Sequence, residues 1–337
     1  MYIAEVFSQL WIGCRRNKSF KNISKQTHYW ETRTPNQKVM DTQIRLAAFE
    51  WLKEMVTLYD DVLPRRLLET GFIFKNETIS LMGPKGIWKP RTMNLPISIT
   101  TAPHGPYDDG FTEEMFLKYK YRGTNPYHSD NVCLRLIMQE KRPLIFFHGI
   151  LPGKYLATWP VYIIKDSIPE LTFTVAIDDA KNIDIGAPLE VNEGTPEYYK
   201  RAYKTGEVLI RLHQRSFRER VLRAYRNQCS LCQLRHAELL DAAHIVGDTE
   251  EMGEPVIQNG IALCKIHHAA YDKNILGITP DYVINIRKDV LDEIDGPMLK
   301  YGIQSLNTKR IILPKRKLDW PDQDRLQQRY ELFLKTA

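Results

Sequence analysis

Four motifs follow one another within forty residues of this chain: Cys-Ser-Leu-Cys at 229–232, Ala-Ala-His-Ile at 242–245, Gln-Asn-Gly-Ile at 258–261 and Cys-Lys-Ile-His-His at 264–268. The first and last have the spacing of a structural zinc site, C-x2-C followed after a long gap by C-x2-H. This spacing assigns one Zn²⁺ ion to Cys229, Cys232, Cys264 and His267. The alternative is that the cysteines are reduced thiols in a protein core.

The same segment predicts a small strand, loop and helix unit around the zinc frame. Glu238–Val246 suits a strand that carries His244 at its far end, and Lys265–Lys273 suits a helix after a short apolar turn or strand. His267 and His268 are adjacent on that helix, so their side chains point about 100° apart. We therefore expect His267 to bind the zinc and His268 to face the cleft between helix and strand, towards His244.

Three polar residues of these motifs are not needed as zinc ligands: His244, Asn259 and His268. Phosphodiester hydrolysis needs an activated water and a cation that holds the scissile phosphate. His244 as general base and His268 as ligand of a divalent ion meet these needs. Asn259 would complete the catalytic set, either by pinning the loop or by binding the metal through its amide.

The segment resembles the HNH (ββα-metal) endonuclease family over roughly residues 215–285. The resemblance lies in Ala-His244-Ile, in Asn259-Gly and in Leu-Cys264-Lys-Ile-His-His268-Ala-Ala-Tyr-Asp272. It implies that His244 is the general base and that His268 binds the catalytic ion, Mg²⁺ or Mn²⁺. Asp272 would either pack at the end of the helix or orient a histidine.

The chain departs from this family at one position. Many members carry an acidic metal ligand immediately before the first histidine, where this chain has Ala243. Asp241, two residues earlier on the same strand face, is the expected substitute. The competing interpretation is a plain zinc module that binds DNA or protein without catalysis.

The region upstream, residues 70–180, has strand and turn signals rather than helical periodicity. Short apolar or alternating runs are broken by Pro and Gly, and they predict strands at Phe72–Leu81, Met93–Ile99, Leu144–His148, Val161–Ile164 and Leu171–Ile177. One helix-like stretch, Asn131–Glu140, interrupts them. The pattern indicates a curled, mainly β domain with a helix.

The order of short motifs in this region resembles the SRA (YDG) domain, a PUA-like fold that flips a modified cytosine out of DNA. The motifs are Gly-Pro-Tyr-Asp-Asp-Gly at 105–110, Tyr-Arg-Gly-Thr at 121–124, Asp-Asn-Val-Cys-Leu at 130–134, Arg-Pro-Leu-Ile at 142–145, Gly-Lys-Tyr at 153–155 and Pro-Val-Tyr at 160–162. The match spans roughly residues 83–180. The usual glycine pair after Tyr-x-Gly is missing, because Asn125 and Pro126 stand there.

An extruded base needs flat surfaces for stacking and groups that read its Watson–Crick edge. Tyr107 and Tyr121 are the candidates for stacking. Asp108 or Asp109 is the candidate acceptor for the N4 amine of cytosine. The alternative is that both tyrosines belong to the core of the β domain and that the aspartates form an ordinary turn.

The whole chain is expected to be α+β: an SRA-like curled β domain followed by a zinc-clamped ββα-metal HNH domain. The organised part of the chain is expected to begin at Met40, with Asp41 or Thr42 as the N-cap of its first helix. The expected organisation is an unstructured extension at 1–39, a helical lead-in at 40–69, the SRA-like domain at 70–190, a linker helix and the HNH domain at 191–285, and a strand and helix tail at 286–337. A wrongly chosen start codon would explain the extension.

Composition and charge describe an ordinary globular protein with a mild preference for acidic partners. The 337 residues are 43% hydrophobic and 26% charged, with a formal net charge of +6, which suits nucleic acid. No apolar run approaches the roughly 20 residues that cross a bilayer. Three of the five cysteines belong to the zinc frame. Without a secretory signal, Cys14 and Cys133 are expected to be reduced thiols of a cytoplasmic protein.

Together the two resemblances imply a McrA-like, modification-dependent restriction endonuclease. The upstream domain would find modified cytosine in double-stranded DNA and the HNH domain would cut nearby. A homodimer is expected, since one HNH site cuts one strand. The alternatives are an HNH nuclease acting on phosphorothioate, branched or unmodified DNA, and a non-catalytic zinc-containing DNA reader.

Overall fold

The computed structural model describes residues 34–102, 116–178, 196–248, 250–294 and 296–336. The chain divides into two compact units, Met1–Gly206 (unit 1) and Glu207–Ala337 (unit 2). Both helices and strands are present in each, which confirms the expected mixed α+β class. Among the described residues, no helix combines the length and the apolar character needed to cross a membrane.

The elements of unit 1 are α1 (Pro35–Leu58), β1 (Val62–Pro64), α2 (Arg65–Thr70), β2 (Phe72–Phe74), β3 (Glu77–Ile79), β4 (Ile87–Trp88), β5 (Ser98–Thr100), β6 (Leu117–Lys120), α3 (Ser129–Gln139), β7 (Leu144–Leu151), β8 (Lys154–Ser167) and β9 (Thr172–Ile177). The chain then enters α4 (Pro196–Ala224), and the division between the units falls within this helix.

Helix α1 begins five residues earlier than the sequence predicted, at Pro35 instead of Met40. Thr34 is its N-cap, and Gln37 completes a capping box in which each side chain bonds the backbone N–H of the other residue. A proline in the first turn and this reciprocal pair favour a helix start there. The expected cap at Asp41 or Thr42 is therefore wrong.

Asp41 has a different role inside α1. Its carboxylate is buried and pairs with the Nε of Arg45 at 2.8 Å. The Arg45 guanidinium is itself fully buried and donates to the carbonyls of Pro143 and Pro96 at 2.7 and 2.8 Å. A buried charge is tolerated when its donors and its charge are matched in this way, and these bonds tie the helix to the sheet.

The sheet of unit 1 has seven strands in the order β4-β5-β7-β8-β9-β6, with β1 also paired to β8. Strand β8 is 14 residues long, and register shifts interrupt its pairing with both β7 and β9. Such bulges bend a strand and increase its twist, which accounts for a curled sheet. Helix α3 matches the predicted stretch 131–140 closely.

Two of the predicted strands take a different form. Residues 72–81 form the hairpin β2–β3, because Lys75 and Asn76 adopt positive φ angles of 47° and 66° in its turn. The strand expected at 93–99 is limited to β5, since the residues before it lie in turns and Pro96 has no N–H for a ladder.

Unit 2 continues from α4 with β10 (Leu240–His244), β11 (Gly260–Cys264), α5 (Lys265–Asp272), β12 (Leu276–Ile278), β13 (Ile284–Ile286), α6 (Lys288–Asp292), α7 (Pro297–Gly302) and α8 (Gln323–Leu334). Strands β10 and β11 pair antiparallel, with His244 opposite Gly260 and Leu240 opposite Cys264. The buried faces of this hairpin, α4, α5 and β12–β13 form one apolar core.

Candidate active site

The four predicted zinc ligands lie together at the end of the β10–β11 hairpin. Nδ1 of His267 is 3.4 Å from Sγ of Cys229 and 3.2 Å from Sγ of Cys264, and the sulfurs of Cys232 and Cys264 are 4.0 Å apart. All four ligand atoms lie within 4.8 Å of one another. Ligand atoms of tetrahedral zinc are separated by about 3.5–3.8 Å at ordinary bond lengths, so the cluster has the size of a closed zinc site.

The hydrogen bonding of His267 also fits a metal ligand. Its Nε2 lies 2.7 Å from the carbonyl oxygen of Gly302, which can only accept, so Nε2 carries the proton and Nδ1 keeps its lone pair. His267 reaches the cluster because Cys264 is the N-cap of α5, which places the two residues on one helical turn. Three sulfurs and this nitrogen are the donor set that Zn²⁺ prefers.

The remaining histidines of the motif share a cleft on the other side of α5. His244 ends strand β10, His268 lies in the first half of α5, and both line a cleft of about 370 Å³. The other lining residues are Ala242, Ile245, Val246, Gly247, Glu250, Asp272, Gln328, Arg329 and Leu332. The adjacent His267 is buried among the three cysteines, so the two neighbouring histidines point to different clusters, as the helical geometry predicted.

His268 lies between two carboxylates. Its Nδ1 is 3.4 Å from Oδ2 of Asp241, and its Nε2 is 3.4 Å from Oδ2 of Asp272. The contact with Asp241 is the main reason why the pKa of His268 is raised. One imidazole nitrogen with a carboxylate oxygen beside it is a donor pair for a hard divalent ion. Either ring nitrogen, together with its neighbouring carboxylate, could therefore contribute to a metal site.

Asp241 lies two residues before Ala243 on strand β10. Ala243 is fully buried opposite Ile261, whereas the Asp241 side chain is 42% exposed. Burial is the largest influence on the pKa of Asp241 and raises it, but the contact with His268, the bond from the Ala242 N–H and the nearby Arg218 together lower the pKa. Nε of Arg218, on helix α4, lies 3.6 Å from its other oxygen and adds to that stabilisation.

His244 is held in an apolar setting. Its ring is stacked on that of Phe217, with centroids 4.0 Å apart and planes 14° apart. Nε2 lies 2.8 Å from Oδ1 of Asp248 but without the angles of a hydrogen bond, and this nitrogen is shielded from solvent. Burial is the main cause that lowers the pKa of His244, while Asp248 acts in the opposite direction. The neutral form, which can accept a proton, is thus favoured.

Asn259 pins the loop that follows His244. Its Oδ1 accepts from the N–H of Val246 at 2.9 Å, and its Nδ2 donates to the carbonyls of Val246 and Glu254 at 2.9 and 3.2 Å. The residue is completely buried. Of the two roles that the sequence left open, this geometry corresponds to loop anchoring, and it leaves the amide no open side for a metal ion.

The residues expected to read a base are not brought together in the described parts of unit 1. Tyr107, Asp108 and Asp109 lie outside the described residues. Tyr121 is only 2% exposed, its ring packs on Phe173 with centroids 4.6 Å apart, and its hydroxyl bonds Asp166 and Arg135, the latter at 2.8 Å. A ring enclosed in this way has no free face for stacking, which corrects the expected role of Tyr121.

Three residues near the cleft carried no functional signal in the sequence. Phe217 reads as one apolar position of an amphipathic helix, and Asp248 as part of a polar loop. Arg329 lies 61 residues beyond His268, on α8. Its guanidinium donates to the carbonyl of Tyr271 and to Oδ1 of Asn274, both at 2.5 Å, and stacks on the Tyr271 ring. Asp248 is only four residues beyond His244, whereas Phe217 and Arg329 are brought there by tertiary packing.

Comparison with known proteins agrees with this geometry. Residues 229–279 match the family model described as HNH endonuclease. None of the curated proteins matches the sequence. A solved structure described as the modification dependent TagI restriction endonuclease is similar with a TM-score of 0.26 and 13% identity, covering 71% of this chain and 81% of that one.

A second solved structure is described as the type IV phosphorothioation-dependent restriction endonuclease ScoMcrA. It is similar with a TM-score of 0.21 and 17% identity, covering 52% of this chain and 45% of that one. TM-scores below 0.5 do not establish a shared overall fold. The family match, the zinc cluster and the paired histidines together identify an HNH endonuclease domain in unit 2. Residues 229–279 therefore carry the sequence pattern of an HNH endonuclease.

Proposed function

We propose that the protein is a modification-dependent endonuclease that hydrolyses phosphodiester bonds of double-stranded DNA near a modified cytosine. The observation that carries the catalytic half of this proposal is the cleft in which His244, His268 and Asp272 meet within an HNH domain. An imidazole of lowered pKa faces the same space as an imidazole flanked by carboxylates. This is the division between base and metal ligand that phosphodiester hydrolysis requires.

His244 acts as the general base. Because Nε2 is shielded and lies beside the Asp248 carboxylate, Nδ1 is the nitrogen that takes the proton from the attacking water. A carboxylate next to the second nitrogen stabilises the imidazolium that forms, as the aspartate of a Ser-His-Asp triad does. The bond between phosphorus and the leaving 3′ or 5′ oxygen then breaks as the new P–O bond forms.

His268 would hold a divalent cation, Mg²⁺ or Mn²⁺, together with Asp241, and Asp272 is the other carboxylate within reach of the ring. Such an ion, when bound, neutralises the scissile phosphate and stabilises the leaving oxygen. The zinc cluster is separate from this chemistry, because three thiolates and a histidine fill a tetrahedral shell and leave no open position. Its role would be to hold Cys264, and therefore the start of α5, against β10.

The recognition half of the proposal rests on the sequence of unit 1. The ordered motifs between 105 and 162 resemble those of SRA domains, and Tyr107 with Asp108 or Asp109 would stack on and read an extruded cytosine. The two similar solved structures are described as restriction endonucleases that depend on DNA modification. A double-strand break by one site per chain would require two copies of the protein, and we propose a homodimer on that ground.

A plasmid panel tests the proposal. One plasmid is prepared unmodified, 5-methylated, 5-hydroxymethylated and phosphorothioated, and each form is incubated with the zinc-loaded protein and Mg²⁺ or Mn²⁺. We expect metal-dependent cutting of a cytosine-modified form only, and none by His244→Ala. Cutting of the phosphorothioate form alone, or equal cutting of all forms, would show that modified cytosine is not the target. The assignment as a nuclease would still hold.

A further inference from the structure

Phe217 forms one wall of the general-base position. It lies on α4, 27 residues before His244, yet the two rings overlap almost in parallel at a centroid distance of 4.0 Å. Phe217 is 2% exposed and belongs to the apolar core of unit 2. A ring that is fixed on all sides restricts the rotation of the imidazole stacked on it, because tilting His244 would require the core to move.

Gly260 makes room for this contact. It lies opposite His244 in the β10–β11 pair, and a Cβ at this position would be 2.8 Å from Cζ of Phe217 and 2.4 Å from Cγ2 of Val221. These separations are well below van der Waals contact, so no larger residue fits while α4 packs as observed. The glycine that follows Asn259 thus lets α4 approach the hairpin closely enough for Phe217 to reach the histidine.

We infer that Phe217 is a positioning residue for the nuclease reaction, and that α4 with Gly260 holds the His244 ring in its reactive orientation. The inference rests on the proposed role of His244 as general base. Asn259 fixes the backbone after His244 through the Val246 N–H and C=O, whereas Phe217 fixes the ring plane. One restraint therefore acts on the backbone beyond His244 and the other on its ring.

The expected effect follows from the sensitivity of proton transfer to geometry. A general base must lie within hydrogen-bond reach of the proton that it removes, and small misplacements of a reacting group reduce rates by up to about 100-fold. Replacing Phe217 with Leu keeps an apolar side chain but removes the flat face. The turnover number should then fall about 10- to 100-fold, while KM for DNA changes little, because Phe217 is buried and does not contact substrate.

The experiment compares Phe217→Leu with Val221→Ala in the full-length, zinc-loaded protein. Val221 is fully buried one turn along the same helix and also touches the Gly260 position, but no ring contact joins it to His244. Both variants remove apolar atoms from the same core. The melting temperature of each therefore shows whether the two proteins are destabilised to a similar extent. We expect the low turnover number only in Phe217→Leu.

A second measurement does not depend on cleavage. In protein with isotope-labelled histidine, the ring current of a stacked Phe217 shifts the His244 ring protons upfield, and His244→Ala identifies those signals. We expect the shift in wild type and in Val221→Ala, and its loss in Phe217→Leu. Absence of the shift in wild type, or equal turnover numbers in the two core variants, would overturn the inference. Full cleavage by His244→Ala would instead show that the proposed base is wrong, and the inference would fall with it.

Discussion

The carboxylate of Asp241 lies 3.4 Å from Nδ1 of His268, although one residue belongs to strand β10 and the other to helix α5. The position directly before His244, where many HNH enzymes carry an acid, is the buried Ala243. Asp241 faces the helix from the start of the strand, so it can supply a carboxylate to a metal on His268. The second neighbour, Asp272, is four residues along α5 and contacts Nε2.

Asp241→Asn should weaken activation by the divalent ion. Replacing a charged ligand with a neutral amide lowers metal affinity, and we expect the Mg²⁺ concentration for half-maximal cleavage to rise about 10-fold or more. The measurement is a metal titration of initial cleavage rates at fixed DNA. Asp272→Asn is the matched comparison, since it touches the other nitrogen of the same ring; a large increase in Asp272→Asn alone would assign the metal to Nε2.

Removal of zinc should unfold unit 2 and not merely slow the reaction. Because the ligands come from Cys229 and Cys232 before β10 and from Cys264 and His267 after it, the free energy of metal binding contributes directly to folding. We expect Cys229→Ser to lose its zinc and to lower the melting temperature. Cys133→Ser in unit 1 should keep one zinc ion per chain. A zinc-free Cys229→Ser protein with unchanged melting would contradict the assignment.

The acid limb of the pH–rate profile should lie below the ordinary histidine pKa. Burial lowers the pKa of His244 from 6.5, so the neutral, proton-accepting form persists as pH falls to that value and is lost only at lower pH. A divalent ion on His268 adds positive charge nearby and lowers the pKa further. The profile must be recorded at saturating metal, because the raised pKa of His268 makes protons compete with the ion. A limb above pH 7 would exclude His244 as the titrating base.

The zinc frame and the two cleft histidines were predictable because they depend on local geometry. The C-x2-C and C-x2-H spacings bring ligands together within single turns, and adjacent residues on a helix must point apart. Two further residues were not predictable, because Phe217 reaches His244 through the packing of α4 and Arg329 reaches the cleft through the packing of α8. The N-cap of α1 depends on two neighbouring residues, Thr34 and Gln37, and was therefore also predictable in principle. The predicted start was too late because it was based on the apolar periodicity that begins at Ile44.

Asn259→Ala should destabilise the protein, and added metal should not restore its activity. The substitution leaves the N–H and C=O of Val246 without their partners, at a cost of about 1–3 kcal/mol for buried groups. Cleavage falls because the loop beside His244 is released. Thermal unfolding measures the loss of stability. Cleavage is measured as the Mn²⁺ concentration is raised, with His268→Ala, which lacks a proposed metal ligand, as the reference for recovery of activity by added metal. Normal stability with metal-dependent recovery would instead mean that Asn259 is a metal ligand.

Tyr121→Phe should weaken unit 1 without changing its discrimination between DNA forms. Burial, together with the bond to Asp166, raises the pKa of Tyr121 to about 12, so the hydroxyl stays protonated and donates to that carboxylate. The substitution removes both hydrogen bonds of the hydroxyl, to Asp166 and from Arg135, but not the direct contact of Arg135 Nε with Asp166 Oδ2, which is 2.5 Å long in the wild type. We expect a loss of about 1–3 kcal/mol for the two bonds. Unfolding and the ratio of affinities for modified and unmodified DNA are measured side by side, with the exposed Tyr127→Phe as control. A lost preference for modified DNA at unchanged stability would show that the Tyr121 hydroxyl takes part in reading the modification.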